Sequence, residues 1–235
     1  MKRPRMNRQQ VVPWSRERAK AVRNELPDRF KPAVDVPAGI GVRKGELFAF
    51  SLDDVDRDRA VVHVCRQVRL VAGKPVFALP KGGKTREVPI GGALLAQLDA
   101  CADQFPSTPV TLPWSHPDGK ATTVNLLMVD KVGRVLTPKE MDKIWIPALK
   151  AAGVDPHTRA DGIHALRHLY ASVLLDAGES IKALSKYLGH SDPGFTLRVY
   201  THLMPNSHER TRRAIDVFFA KGLGFAAVGE VADAA

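Results

Sequence analysis

Apolar and polar residues alternate one by one through much of Arg59 to Ile90, and small residues interrupt the pattern at Ala72-Gly73 and Gly82-Gly83. Period two is the mark of a half-buried strand, and paired small residues between such runs are turns. RAVVHVCRQVRLV, KPVFALP and TREVPI therefore predict a three-stranded antiparallel sheet. On either side the apolar spacing lengthens to three and four, as on one face of a helix. Trp14 to Leu26 predicts a helix capped by Ser15 and followed by Pro27. Gly91 to Phe105 predicts another, carrying Leu94, Leu95 and Leu98. Thr137, Pro138 and Glu140 form a capping box with proline at the first helical position. That helix is expected to break or kink at Pro147.

The final third reads as helices with clear stops. Asp161 caps one whose buried face is Ile163, Leu166, Tyr170, Val173 and Ala177, ended by Gly178. Ser180 caps a shorter helix with Ile181, Leu184 and Leu188 inward and Gly189 as its stop. Asp192-Pro193 opens a third, which carries Tyr200, and a further helix runs from Glu209 to Phe219. Two stretches are less regular. VDVPAGIGVRKGELFAFSLDDVD predicts a short helix entering a strand, with Arg43 and Glu46 three apart on one face. Prolines 106, 109, 113 and 117 favour loops, with a hairpin of TTVNLLMVD against RVLTP. The fold class is thus mixed α/β, mainly helical, with one small antiparallel sheet.

Composition narrows the function. Lys and Arg number 35 against 25 Asp and Glu, a formal net charge of +10. Such a charge points to polyanions, nucleic acid first, although a generic basic surface would carry it too. Cys65 and Cys101 are too few for a disulfide framework or a cysteine-based metal site. No run approaches the roughly 20 apolar residues that span a bilayer. No apolar segment follows MKRPRMNRQQ as a signal peptide requires, so the chain is expected to be cytoplasmic.

Candidate chemistry concentrates in Asp161 to His202, DGIHALRHLYASVLLDAGESIKALSKYLGHSDPGFTLRVYTH. Breaking a phosphodiester without a metal needs a nucleophile, cations on the non-bridging oxygens, and an acid for the leaving oxygen. Guanidinium groups suit the second task, because their planar fork grips phosphate and keeps its charge. Arg167 is one candidate and Arg43 the other. Each residue also has a plainer reading. His164 and His168, at i and i+4, have zinc-ligand spacing, but position 165 is alanine where a metalloprotease helix has its general-base glutamate. His168 reads better as a structural hydrogen-bonding residue. His190 after Gly189 also suits a cation at a helix end. Lys84 competes with Lys81 on its turn, and Tyr170 and Tyr187 compete with Tyr200.

HALRH, YLGH and VYTH, in this order and near these separations, resemble the second conserved box of the tyrosine recombinases, the phage-integrase family. AGIGVRKGELFAFSLDDVD is similar to their first box, with Ala38 in place of a small hydroxyl residue. The resemblance covers roughly residues 14 to 219. It implies the DNA breaking-rejoining catalytic fold, with a catalytic set of Arg43, Lys81, His164, Arg167, His190 and Tyr200. In that set Tyr200 is the nucleophile, forming a 3′-phosphotyrosine and freeing a 5′ hydroxyl. Lys81 is the general acid on a β-hairpin, Glu46 orients the first arginine, and His168 has a supporting role. The resemblance implies no metal or nucleotide cofactor, double-stranded DNA with attachment-type sites as partner, and a homotetramer on DNA. The spacing from His190 to Tyr200 looks like that of actinobacterial and actinophage integrases.

The expected organisation is a disordered basic leader over 1–13, a catalytic domain over 14–220 and a flexible tail over 221–235. The core-binding domain that closes the family's clamp on DNA has no place in this length. One alternative follows from that, a truncated integrase that binds DNA as an accessory protein without recombining; a second, a topoisomerase of type IB, shares the chemistry but relaxes supercoils without strand exchange.

Overall fold

The structure is a computed structural model, and it describes residues 12–156, 162–203 and 208–222. Contacts divide the chain between Leu203 and Met204 into two units. The expected leader and tail lie almost wholly outside the described residues.

In the first unit, α1 (Arg16–Glu25) is capped by Ser15, whose side chain accepts from the Arg18 N–H at 3.1 Å. α2 (Pro32–Ile40) follows, and its residues Ala33, Val36 and Ile40 are fully buried. A short helix, α3 (Lys44–Phe48), leads toward the strands. β1 (Val55–Asp56), β2 (Val61–Val64) and β5 (Arg86–Pro89) form a three-stranded antiparallel sheet in the order β1-β2-β5. Between β2 and β5 the chain makes a separate hairpin, β3 (Gln67–Val71) with β4 (Lys74–Ala78), turning at Ala72-Gly73. Beyond β5 come α4 (Gly92–Gln104), a second hairpin of β6 (Thr108–Pro113) and β7 (Ala121–Leu126), and α5 (Pro138–Ala151). The unit closes with α6 (His164–Asp176), α7 (Ile181–Leu188) and α8 (Pro193–Tyr200). One apolar core joins them: α2 packs on α6, and Trp14 stacks on Trp145 of α5 with centroids 6.1 Å apart.

The sheet departs from the expected one. RAVVHVCRQVRLV is not a single strand: Cys65 and Arg66 leave the ladder, and Arg66 donates from Nη1 and Nη2 to the two Asp54 carboxylate oxygens, at 2.5 and 2.7 Å. That ion pair separates β2 from β3, so the third strand of the sheet is β1 and the hairpin stands apart. TTVNLL pairs with the preceding TPVTLP, and only an isolated bridge, Val129 to Val135, joins it toward RVLTP. Prolines at 109 and 113 are tolerated because a two-stranded ladder has only edge strands. α5 stays helical through Pro147, its buried Met141, Trp145, Ala148 and Leu149 offsetting the lost hydrogen bond. Ala177 is exposed, since it is already the C-cap of α6. Asp161, the expected cap at the other end, lies outside the described residues.

The second unit contains α9 (His208–Gly222), close to the expected Glu209 to Phe219. Ile215, Val217, Phe218 and Phe219 on it are between 43% and 62% exposed. Among the described residues, no helix is long and apolar enough to cross a membrane.

Candidate active site

Helical spacing brings His164, Arg167 and His168 to one face of α6, since i, i+3 and i+4 lie over one another. Arg167 is only 1% exposed. Its Nη1 donates to the Gly41 carbonyl and its Nη2 to that of Leu188, both at 2.5 Å. These carbonyls belong to the ends of α2 and α7, which both stop at a left-handed glycine, Gly41 (φ 64°) and Gly189 (φ 63°). A helix C-terminus carries partial negative charge and suits a cation. Neither glycine is replaceable without strain. A Cβ at 41 would lie 2.4 Å from the Tyr170 ring, and one at 189 would lie 3.0 Å from Arg86. Burial, then the charges of Arg43 and Arg86, lower the Arg167 pKa to about 9, which leaves it charged at neutral pH.

Arg43 is the N-cap of α3, and Glu46 lies at the third helical position. The carboxylate accepts from the Arg43 backbone N–H at 2.8 Å and from its Nη1 at 3.0 Å. Arg43 Nη2 donates to the Gly189 carbonyl at 3.2 Å, so both arginines meet at the corner that follows α7. Glu46 has a second partner that sequence reasoning missed. Arg86, at the start of β5, donates from Nη1 and Nη2 to its two oxygens at 3.0 and 2.7 Å, and from Nε to the Tyr187 carbonyl at 2.6 Å. Burial pushes the Glu46 carboxyl up, but Arg86 and then Arg43 outweigh it and hold it below the usual range. The available signal was register: Arg86 shares the inward face of its strand with Val88, an unusual place for an arginine.

His190 follows the Gly189 stop. Its Nε2 lies 3.1 Å from Arg167 Nη2, and its Nδ1 lies 2.7 Å from the Thr196 hydroxyl. Arginine only donates, so Nε2 accepts and the ring proton sits on Nδ1, where it is donated to Thr196. Thr196, fully buried on α8, is a second partner that sequence reasoning missed; it lies four residues before Tyr200 and so shares its face. Burial, followed by the arginine charges, lowers the His190 pKa to about 3.

Tyr200 ends α8 and is 1% exposed. Its hydroxyl shares a hydrogen bond of 2.8 Å with His168 Nδ1. Burial raises the phenol pKa to about 12, with Arg167 and Arg43 pulling the other way. His168 is itself lowered to about 4 by burial, His164 and Arg167, so its ring is neutral at pH 7. His164 sits edge-on to His168 with centroids 4.8 Å apart. Its outer side is exposed, while the protein packed behind it and the charges of Arg167 and Arg43 lower its pKa.

Arg43, Glu46, Arg167 and His190 are thus joined by hydrogen bonds, and His164, His168 and Tyr200 by ring contacts and one hydrogen bond. Lys81 is not brought in. It is exposed at the head of the Gly82-Gly83 turn and makes no hydrogen bond or ion pair with another described residue. No three potential metal ligands cluster among the described residues.

Comparisons with known proteins identify the family and the fold. Residues 17–207 match the pattern of the phage integrase family. A tyrosine recombinase XerC-like protein of Caldanaerobacter subterraneus is 26% identical over 228 residues, 89% of this chain and 55% of that protein. Tyrosine recombinase XerD of Caulobacter vibrioides is 31% identical over 167 residues, 69% of this chain and 46% of its own. The chain therefore spans about half the length of the curated relatives it matches. Among solved structures, the Tn1549 transposon integrase in complex with circular intermediate DNA superposes with a TM-score of 0.69. It is 19% identical, over 90% of this chain and 68% of that one. The catalytic domain of bacteriophage HP1 integrase gives 0.57 at 19% identity, over 90% and 98%. At these identities the structures speak for the tyrosine recombinase catalytic fold.

Proposed function

Because the chain belongs to the phage integrase family, we propose that it cuts and rejoins DNA at specific sites through a 3′-phosphotyrosyl intermediate. The observation that carries this reading is the meeting of Arg167 and Arg43 at the Gly189 corner, with Tyr200 on the same α6 face through His168. The Tyr200 oxygen attacks phosphorus, the bond to the 5′ oxygen breaks, and the phosphodiester becomes a phosphotyrosine. Among the described residues Arg167 leaves two N–H groups unused and Arg43 three, which offer donors to the non-bridging oxygens. With a neutral ring, His168 Nδ1 is placed to accept the phenol proton, and Lys81 supplies the proton to the 5′ oxygen. Rejoining is the reverse reaction, with a 5′ hydroxyl from the exchanged strand.

The partner under this reading is double-stranded DNA with attachment-type sites, bound by four copies of the chain, and the working place is the nucleoid. The net charge of +10 supports the first part. The exposed apolar side chains of α9 support exchange of that helix between neighbours. Kinship to actinobacterial integrases rests on the spacing from His190 to Tyr200. The organisation that goes with this reading is a leader over 1–13, the catalytic domain over 14–220 and a tail beyond.

A nicked suicide duplex, whose cut product diffuses away, tests the reaction. The chain should become covalently attached to DNA and Tyr200→Phe should not. Equal trapping by both proteins, or by neither at low salt, would sink the proposal. Salt-sensitive DNA binding that survives loss of Tyr200, without trapping, would instead mark a DNA-binding accessory protein. Supercoil relaxation without site preference would mark a topoisomerase.

A further inference from the structure

Arg86 has no role in the reaction as proposed, yet like Arg167 it makes three side-chain hydrogen bonds. It is 8% exposed, and all three of its side-chain nitrogens are engaged within the protein. It therefore has little access to DNA. Its partners are the two things that set the arginine pair: the Glu46 carboxylate and the last turn of α7, through the Tyr187 carbonyl. Its aliphatic Cδ also lies against the Gly189 turn, where a Cβ would come within 3.0 Å.

Three guanidinium groups share this corner with one carboxylate, Glu46. A carboxylate whose only partner was Arg43 would cancel the charge that the phosphate needs. A bidentate pair with a third arginine engages both oxygens and leaves Arg43 held by Glu46 without being neutralised by it. We infer that Arg86 is a positioning residue. It takes up the charge of Glu46, so that Arg43 stays available to phosphate, and it fixes the Tyr187–Gly189 corner that holds Arg167 and His190. The inference rests on the phosphodiester reading of the site. It adds that β5, the strand reached from Lys81 through the Gly82-Gly83 turn, begins at this corner with Arg86.

The distinguishing experiment is a cycle of Arg86→Met, Glu46→Gln and the two combined, with trapping rates on the suicide duplex and melting temperatures for each. Arg86→Met should slow trapping about 100-fold, the scale of a lost charge-stabilising donor. Adding Glu46→Gln removes the uncompensated carboxylate and should recover about tenfold of that loss. Arg86→Lys, which keeps the charge but loses the fork, should fall between wild type and Arg86→Met; it also serves if the methionine variant does not fold. A double variant no faster than Arg86→Met, or an Arg86→Met chain that traps like wild type, overturns the inference.

Failure of the reaction itself is separable, because it appears in the wild-type chain. In that event stabilisation by inorganic phosphate gives the same reading. The melting-temperature rise should be largest in wild type, smallest in Arg86→Met, and partly restored in the double variant. Equal rises in all of them overturn the positioning role.

Discussion

The corner around Arg167 and the loop that carries Lys81 serve one proposed reaction, yet they are built in opposite ways. At the corner every charged group is buried or half-buried and already bonded: Arg167 to two carbonyls, Arg43 and Arg86 to Glu46. In the loop, Lys81, Gly82, Gly83 and Lys84 are all exposed, and both glycines have positive φ. Groups that stabilise charge work best when their dipoles are fixed before the reaction begins. A proton donor must reach a leaving oxygen whose place is set by the DNA. The difference teaches that one half of the proposed site is assembled by folding and the other half by the substrate.

Substitutions can break that contrast. Lys81→Ala should cause the largest loss, about 10²- to 10⁴-fold in trapping rate, with an unchanged melting temperature because the side chain is exposed. A duplex with sulfur in place of the scissile 5′ oxygen needs no proton donor and should restore the rate. If it does not, Lys81 is not the acid and Lys84 is tested next. Arg167→Lys should cost about 10²- to 10³-fold with either duplex, and should also lower the melting temperature, since two buried carbonyls lose their donor. Rescue of this variant by sulfur would erase the distinction between the halves.

The pH response should belong to the folded half. His168 and His190 have pKa values lowered to about 4 and 3 against 6.5 for a free ring. Below about pH 6.5 the unfolded chain takes up protons that the folded chain refuses, so stability should fall from there through about pH 3. Thermal melts across this range should show the fall, and His190→Asn should flatten part of it. The smallest effect is expected at Ser180, which caps α7 by accepting from the Ala183 N–H at 3.1 Å. Ser180→Ala should cost about 1 kcal/mol in chemical denaturation. Trapping should be unchanged, because the far end of α7 is held independently by Arg86 and Arg167.

Local signals made most helices legible. Ser15, the Thr137–Glu140 box, Ser180 and Asp192 each cap the helix they were expected to cap. Sheet pairing was less legible because it depends on distant partners. Nothing near Cys65-Arg66 announces that Asp54 will draw Arg66 out of a strand, and TTVNLL has apolar runs on both sides to pair with. The candidate site shows the same division. Arg43, Arg167, His190 and Tyr200 stand in motifs, and the fold brings them to neighbouring positions. Arg86 and Thr196 were hidden because their meaning comes from partners 40 residues and 6 residues away. Lys81 was legible as a residue on its turn, and the fold leaves it exposed beside two glycines of positive φ.

The exposed apolar row on α9 also bears on how this chain behaves as a colloid. Four large exposed apolar side chains on one helix favour self-association, and the net charge of +10 opposes it by repulsion between molecules. That barrier is electrostatic, so added salt screens it, and raising the pH toward the isoelectric point near 9.8 removes it. The conditions that loosen the chain from a polyanion are thus the same ones that bring its copies together.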